Sequence, residues 1–362
     1  MIVAKLTQEF KTFIIDNFCK TQKNYVLPNG KERIAFIDLA KGVCIILVVL
    51  LHTGYLTHVP ALKALRMPLY FILSGLFFKD YGNFTIFIIK KINKLVIPFG
   101  FFFAIYMIIS VLPPPPGGFP VIISKMLLEI KEPFIKPDII NLPIWFLICL
   151  FWVNILYYII SRNIKQSWLK LLLISILGIV GMLLNYKSIY LPLFMSSAFS
   201  AIPFFVVGIF LRKMPILYKT SRDHYILLTC TVFLIAAIVY CVMQGTPYID
   251  FRSNDYNGNI IEIYLVSIVL VISLLLICKA ISWLPIISYF GKYSVIILCT
   301  HVIFQDFVYL PLYLCLGRPV TSEETIFVTW VLCWITIPFF KKLLPYVTAQ
   351  KDFIKYSYGK GL

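Results

Sequence analysis

About ten apolar stretches, most of them near 20 residues long, recur along the whole chain, and they limit its fold more than any other feature. A helix needs about 20 mostly apolar residues to cross the hydrocarbon of a bilayer. The spans read from the sequence are 34–57, 66–79, 94–112, 141–160, 168–186, 190–211, 225–243, 260–280, 287–309 and 326–345. The expected fold class is therefore all-α, a polytopic integral membrane protein. The second stretch is short and interrupted by glycine, which fits a tilted or partly re-entrant helix.

Composition agrees with this. Of 362 residues, 60% are hydrophobic and 14% charged, and the mean hydropathy is +0.89. Soluble domains hold about half apolar and about a quarter charged residues. Lipid must solvate much of this surface. The stretches run without a break in character, giving one membrane domain over residues 33–346. It is flanked by an N-terminal arm, 1–32, and a C-terminal tail, 347–362. The arm carries Lys5, Lys11, Lys20, Lys23 and Lys31 around a short apolar patch. It has neither the apolar core nor the small-residue cleavage site of a signal peptide, so it reads as a cytosolic, amphipathic segment.

The formal charge of +17 would suit a nucleic-acid partner if the basic residues were clustered. They sit instead at span ends. With the N-terminus inside, the cytosolic segments and span ends hold about 24 of the 33 Lys and Arg, and the opposite side about 8. That bias sets an N-in, C-in topology with an even number of spans, and no nucleic-acid partner is expected. The nine cysteines form no CxxC pair and lie mostly inside apolar stretches, where they read as small packing residues rather than a disulfide framework or metal site. On the outer side, segment 113–140 opens with Pro113-Pro114-Pro115-Pro116-Gly117-Gly118 and is the longest loop, a connector or a cover for a substrate entrance. Segment 244–259, with Asp250, Arg252 and Asp255, is the most polar outer loop and a candidate sugar-contacting surface.

Charges inside spans are costly and mark functional candidates. In the first span Asp38 and Lys41 are three apart, on one helix face. His52 follows Lys41 by eleven residues, which returns it to within about 20° of that face and lifts it about 16 Å along the axis. Asp38 and Lys41 read either as functional or as an internal or interfacial ion pair. His52 reads either as a base or as a histidine bonded to a neighbouring helix. In Met67-Pro68-Leu69-Tyr70-Phe71-Ile72-Leu73-Ser74-Gly75 the small pair admits either a helix or a ligand to the backbone. Lys90, Lys91 and Lys94 enter the third span from inside, suited to anionic lipid, to topology sorting or to the phosphates of a cytosolic donor. His301 follows Tyr289-Phe290-Gly291-Lys292-Tyr293-Ser294; a lone buried histidine is more often structural.

In this order the motifs resemble those of the membrane acyltransferase family 3. Lys41 plus ten residues plus His52 resembles its basic-x10-His signature, with Lys where Arg is frequent. Met67 to Gly75 resembles its second-span signature, and Lys90-Lys91…Lys94-Leu95-Val96-Ile97-Pro98 its basic third-span entrance. Pro143-Ile144-Trp145-Phe146-Leu147 resembles its Trp-Phe-Leu element, and Tyr289 to Ser294 with His301 its late signature. The resemblance covers roughly residues 31–345, and its second-span motif is nearest to the fucose 4-O-acetylase-like branch.

The resemblance implies transfer of an acyl group, usually acetyl, from cytosolic acyl-CoA (acetyl-CoA as co-substrate, no metal) to a hydroxyl of a sugar, polysaccharide or lipid-linked glycan. It implies His52 as base, with Asp38, His301 and Ser74 as further catalytic candidates. Lys41, Lys91 and Lys94 would hold the donor, and Trp145 and Tyr70 would contact substrate. Expected partners are membrane lipids, the glycan or lipid-linked acceptor and glycan-assembly enzymes. The expected place is a cell membrane, that of a bacterial inner envelope. The competing class is a secondary transporter or flippase for a glycan or small solute, which ten spans and buried charges also suit. No internal repeat or pair of broken helices supports it.

Overall fold

A computed structural model describes residues 24–26, 32–55, 59, 62–110, 119–135, 143–214, 229, 231–236, 239 and 247–355. The expected N-terminal arm lies almost entirely outside these residues, as does most of the expected span 225–243. Just before the first span, β1 (Asn24–Val26) pairs antiparallel with β2 (Glu32–Ile34).

The first span, α1 (Ala35–His52), starts directly after β2 and is among the most enclosed helices of the bundle. Around it are α2 (Lys63–Leu76), α3 (Phe84–Lys91) and α4 (Ile97–Ser110), α5 (Phe119–Ile135), α6 (Trp145–Asn163), α7 (Ser167–Tyr186) and α8 (Met195–Leu211). A short hairpin, β3 (Tyr248–Asp250) and β4 (Asp255–Asn257), precedes α9 (Ile260–Ile281), α10 (Pro285–Lys292), α11 (Ser294–Leu316) and α12 (Ser322–Leu343). A π-helical turn, Ile92–Val96, joins α3 and α4 into one 27-residue rod.

Among the described residues, eight helices are long and apolar enough to cross a membrane. They match eight of the ten expected spans. In α1, α6 and α8 most of the chain is buried by protein, whereas α7 and α12 turn Leu171, Ile176, Leu183, Phe327, Ile335 and Phe339 outward, as lipid-facing helices do. The chain is thus an all-α, multi-pass membrane protein. Helix is the form in which an apolar segment meets most of its own backbone hydrogen bonds, as a bilayer demands.

Two differences from the sequence reading have physical causes. The second stretch forms α2, but at 14 residues it is about 21 Å long, shorter than the roughly 30 Å hydrocarbon layer. It can be short because it is enclosed by protein rather than lipid. A Cβ on Gly75 would collide with the carbonyl of Phe205, and one on Gly208 with the carbonyl of Ile72, so α2 and α8 touch backbone to backbone. Gly75 is therefore a packing residue. The outer segment 113–140 also holds α5, a 17-residue helix. Glu129 accepts a hydrogen bond from Ser110 Oγ (3.0 Å), and Lys125 donates to the Ser110 carbonyl, fixing α5 against the end of α4.

A second close crossing sets the inner end of α1. Gly42 faces the carbonyl of Ile287 and Gly291 faces the carbonyl of Asp38, leaving no room for a side chain at either position. This seats α10 on α1 and directs the start of α11 toward the same interior.

Candidate functional site

Three cavities run along the helices that α1 and α2 organise. α1 rises from the cytosolic side that the charge bias assigns, and α2 returns. Residues of α2 change surroundings as they descend: Lys63, Arg66 and Met67 line an outer cavity, then Tyr70, Leu73, Ser74 and Phe77 line an inner one.

The inner cavity has a volume of 460 Å³. Lys41, Lys91 and Lys94 share it with Tyr70, Ser74, Ser294 and an apolar lining that includes Phe146, Leu147, Leu150 and Leu298. Lys41 Nζ lies 5.5 Å from the centre of the Phe77 ring, and Lys91 Nζ lies 5.4 Å from that of Phe87, so both cations rest against aromatic faces. Tyr70 donates to the Lys41 carbonyl at 3.3 Å, tying α2 to α1 at this level.

A neighbouring cavity of 280 Å³ forms a more polar mouth and shares Ser74, Lys91, Lys94, Leu95 and Leu150 with the inner one. Lys90, Asn154, Gln350 and Asp352 complete it. The C-terminal tail is held here. Asn93, buried in the π turn, donates to the Ile354 carbonyl (2.9 Å) and accepts from the Ile354 amide (2.8 Å). Lys94 donates to the Ala349 carbonyl at 2.7 Å and lies 3.3 Å from Asp352. A tail read from sequence only as topology is thus a wall of the mouth.

The outer cavity is smaller, 110 Å³, and differs in chemistry. Val48, Leu51 and His52 come from α1, and Lys63, Arg66 and Met67 from α2. Pro143 and Trp145 stand at the start of α6, and Ile249, Asp250, Phe251 and Arg252 come from the β3–β4 hairpin. The hairpin is anchored through Asn254, which donates to the Gly181 carbonyl (2.6 Å) and accepts from Ser200 Oγ (2.8 Å). Phe251 is buried against Phe71 and Phe204. Residues 247–259, the described part of the polar outer segment, therefore form a fixed roof.

His52 meets His301 edge to face, with ring centres 5.3 Å apart and planes at 60°. His301 is fully buried, and its Nδ1 lies 2.7 Å from the Ile297 carbonyl. A carbonyl only accepts, so Nδ1 carries the proton and Nε2 is left with its lone pair. Nε2 has no hydrogen-bond partner among the described residues. The structure thus pairs two histidines that stand 249 positions apart in the chain.

Of the residues singled out from the sequence, Lys41, Lys91, Lys94, Ser74 and Tyr70 gather at the inner cavity, while His52 and Trp145 line the outer one and His301 packs against His52. Ser74 and His52 do not share a cavity, so Ser74 stands with the lysines and not beside His52. Trp145 and Phe146, adjacent in sequence, face the outer and the inner cavity respectively. Asp38 is buried at the α1–α10 crossing and lines none of the three cavities described. Sequence reasoning did not single out Arg66. It is a basic residue directly before the Met67-Pro68 motif and is 3% exposed.

These features belong to a class, the polytopic membrane acyltransferases. Residues 34–340 match the model of an acyltransferase domain, most of the chain, and the protein belongs to that family, the membrane acyltransferase family 3. No curated protein and no solved structure matches the chain.

Proposed function

We propose that this membrane acyltransferase moves an acyl group, acetyl in the simplest case, from cytosolic acyl-CoA to a hydroxyl of a sugar, polysaccharide or lipid-linked glycan at the outer face of a bacterial inner membrane. One observation carries the reading. Lys41 and His52 stand on one helix and line separate cavities, Lys41 with Lys91 and Lys94 at the inner one and His52, in ring contact with His301, at the outer one. Phosphates of the donor suit Lys41, Lys91 and Lys94, whose ammonium groups give charge-assisted hydrogen bonds. The apolar lining of the inner cavity suits the pantetheine arm, and the rise of about 16 Å from Lys41 to His52 is comparable to that arm extended.

Between the cavities stand Met67 and Tyr70 on α2 and Trp145 and Phe146 on α6, and the thioester reaches His52 past them. Neutral His52 takes the proton as the acceptor oxygen attacks the thioester carbonyl. A new C–O bond forms, the C–S bond breaks, and the CoA thiolate leaves and recovers the proton that the imidazolium holds. His301, whose Nε2 lone pair is without a partner beside the His52 ring, is a positioning residue: when His52 takes up the proton, the second N–H of the imidazolium turns to that lone pair.

The test is His52→Ala in purified protein. Acyl transfer from labelled acetyl-CoA to a cell-surface glycan preparation is expected to fall by about 10²- to 10⁴-fold. Transfer at the normal rate by a folded variant would remove His52 from the reaction.

A further inference from the structure

We propose that the outer cavity selects an acceptor bearing an anionic group, a carboxylate or a phosphate, next to the hydroxyl that is acylated. The inference rests on the reading of this cavity as the acceptor site. It starts from charge. Among the described residues, Lys63, Arg66 and Arg252 line the cavity with one carboxylate, Asp250, three formal positive charges against one negative. Asp250 is already engaged. Its Oδ2 lies 3.2 Å from Lys63 Nζ, and its Oδ1 accepts from the Arg252 amide at 3.2 Å.

Arg66 is the strongest element of the site. A guanidinium has five N–H donors and no acceptor. At 3% exposure it is withdrawn from water, and Nη1 donates to the Leu47 carbonyl at 3.3 Å. A buried cation is costly unless it is paired with negative charge. Asp250 attracts Arg66 but is shared with Lys63, which leaves a role for an anion arriving with the substrate, and a planar fork binds carboxylate or phosphate oxygens two at a time.

The surroundings are built rather than incidental. Lys63 is held over the Tyr248 ring at 4.4 Å as well as by Asp250. The hairpin that carries Asp250 and Arg252 is pinned by the Asn254 hydrogen bonds to α7 and α8. At 110 Å³ the cavity is small beside the roughly 300–1,000 Å³ of usual ligand pockets. It fits one acidic headgroup, not a run of sugars. His52 lies on its wall, so a hydroxyl on the same ring as the acid falls within reach of the base.

Saturation-transfer NMR on the full chain in nanodiscs tests this without requiring turnover. Three probes share one ring: methyl glucoside, its 6-phosphate, and methyl glucuronide. The acidic probes are expected to bind about 10-fold or more tightly than methyl glucoside. Whichever acid binds better identifies carboxylate or phosphate as the group recognised. Arg66→Gln keeps a donor for Leu47 and is expected to abolish the acid preference, and Arg252→Gln to reduce it. Asp250→Asn removes the competing carboxylate and is expected to strengthen acid binding several-fold. That gain cannot come from misfolding. Equal binding of all three probes, or an acid preference unchanged in both Arg66→Gln and Arg252→Gln, overturns the proposal. Acid binding without any acyl transfer to the bound sugars would leave the anion site standing and overturn the acceptor role on which it was built.

Discussion

The inner and outer cavities share α1 and α2, yet their walls are chemically opposed. Inside, three lysines stand over an apolar chamber of 460 Å³. Outside, His52, backed by His301, and three cations with one carboxylate among the described residues line 110 Å³. The first suits a long donor with a charged head and an apolar arm. The second suits a small polar group that must be oriented and deprotonated. An antiparallel helix pair can serve both because α1 and α2 each contribute residues to both cavities.

If the division is right, variants in the two cavities fail in different kinetic terms. The largest effect is expected for His52→Ala, which should depress kcat by about 10²- to 10⁴-fold and leave the KM for acyl-CoA near its original value. Next is the double variant Lys41→Ala with Lys91→Ala. Losing charge-assisted hydrogen bonds should raise the acyl-CoA KM by roughly 10- to 100-fold, with kcat at saturation largely kept. Equal falls in kcat from the lysine and histidine variants would dissolve the comparison.

His301 sharpens it. His301→Leu removes the acceptor behind His52 and should lower kcat about 10-fold, whereas His301→Gln, which retains an acceptor, should recover part of the loss. The KM for acyl-CoA should stay constant in both. A residue that only filled space would be rescued by Leu rather than by Gln. The smallest effect is expected at the mouth. Asn93→Ala breaks both hydrogen bonds to Ile354 and should make the tail beyond residue 345 more open to protease, with an acyl-CoA KM only a few-fold higher. Steady-state kinetics and limited proteolysis on the same preparation check both.

The spans could be read from sequence because each carries its own signal in one continuous apolar stretch, and eight are now helices of the bundle. The Lys41–His52 register was readable for the same reason, since both lie on one helix. What crosses between helices left no such trace. The contact of His52 with His301 depends on how α11 is seated, which the Gly42 and Gly291 contacts at the far end of α1 help to fix. Arg66 looked like one of the few outer basic residues because its burial arises from α1, α6 and the hairpin together. The Ser74-Gly75 pair held both of its readings at once: Ser74 faces the cavity and Gly75 the neighbouring helix. The helix α5 was hidden behind the proline run that precedes it, which drew the whole segment 113–140 toward loop.

Equilibrium binding of labelled acetyl-CoA to three purified proteins tests the division of labour most directly. His52→Ala should bind the donor as the unaltered chain does, and the Lys41→Ala, Lys91→Ala double variant should bind it at least about 10-fold more weakly. Donor binding that is lost in His52→Ala and kept in the lysine variant would contradict the account, because the donor would then sit at the outer cavity and not at the inner one.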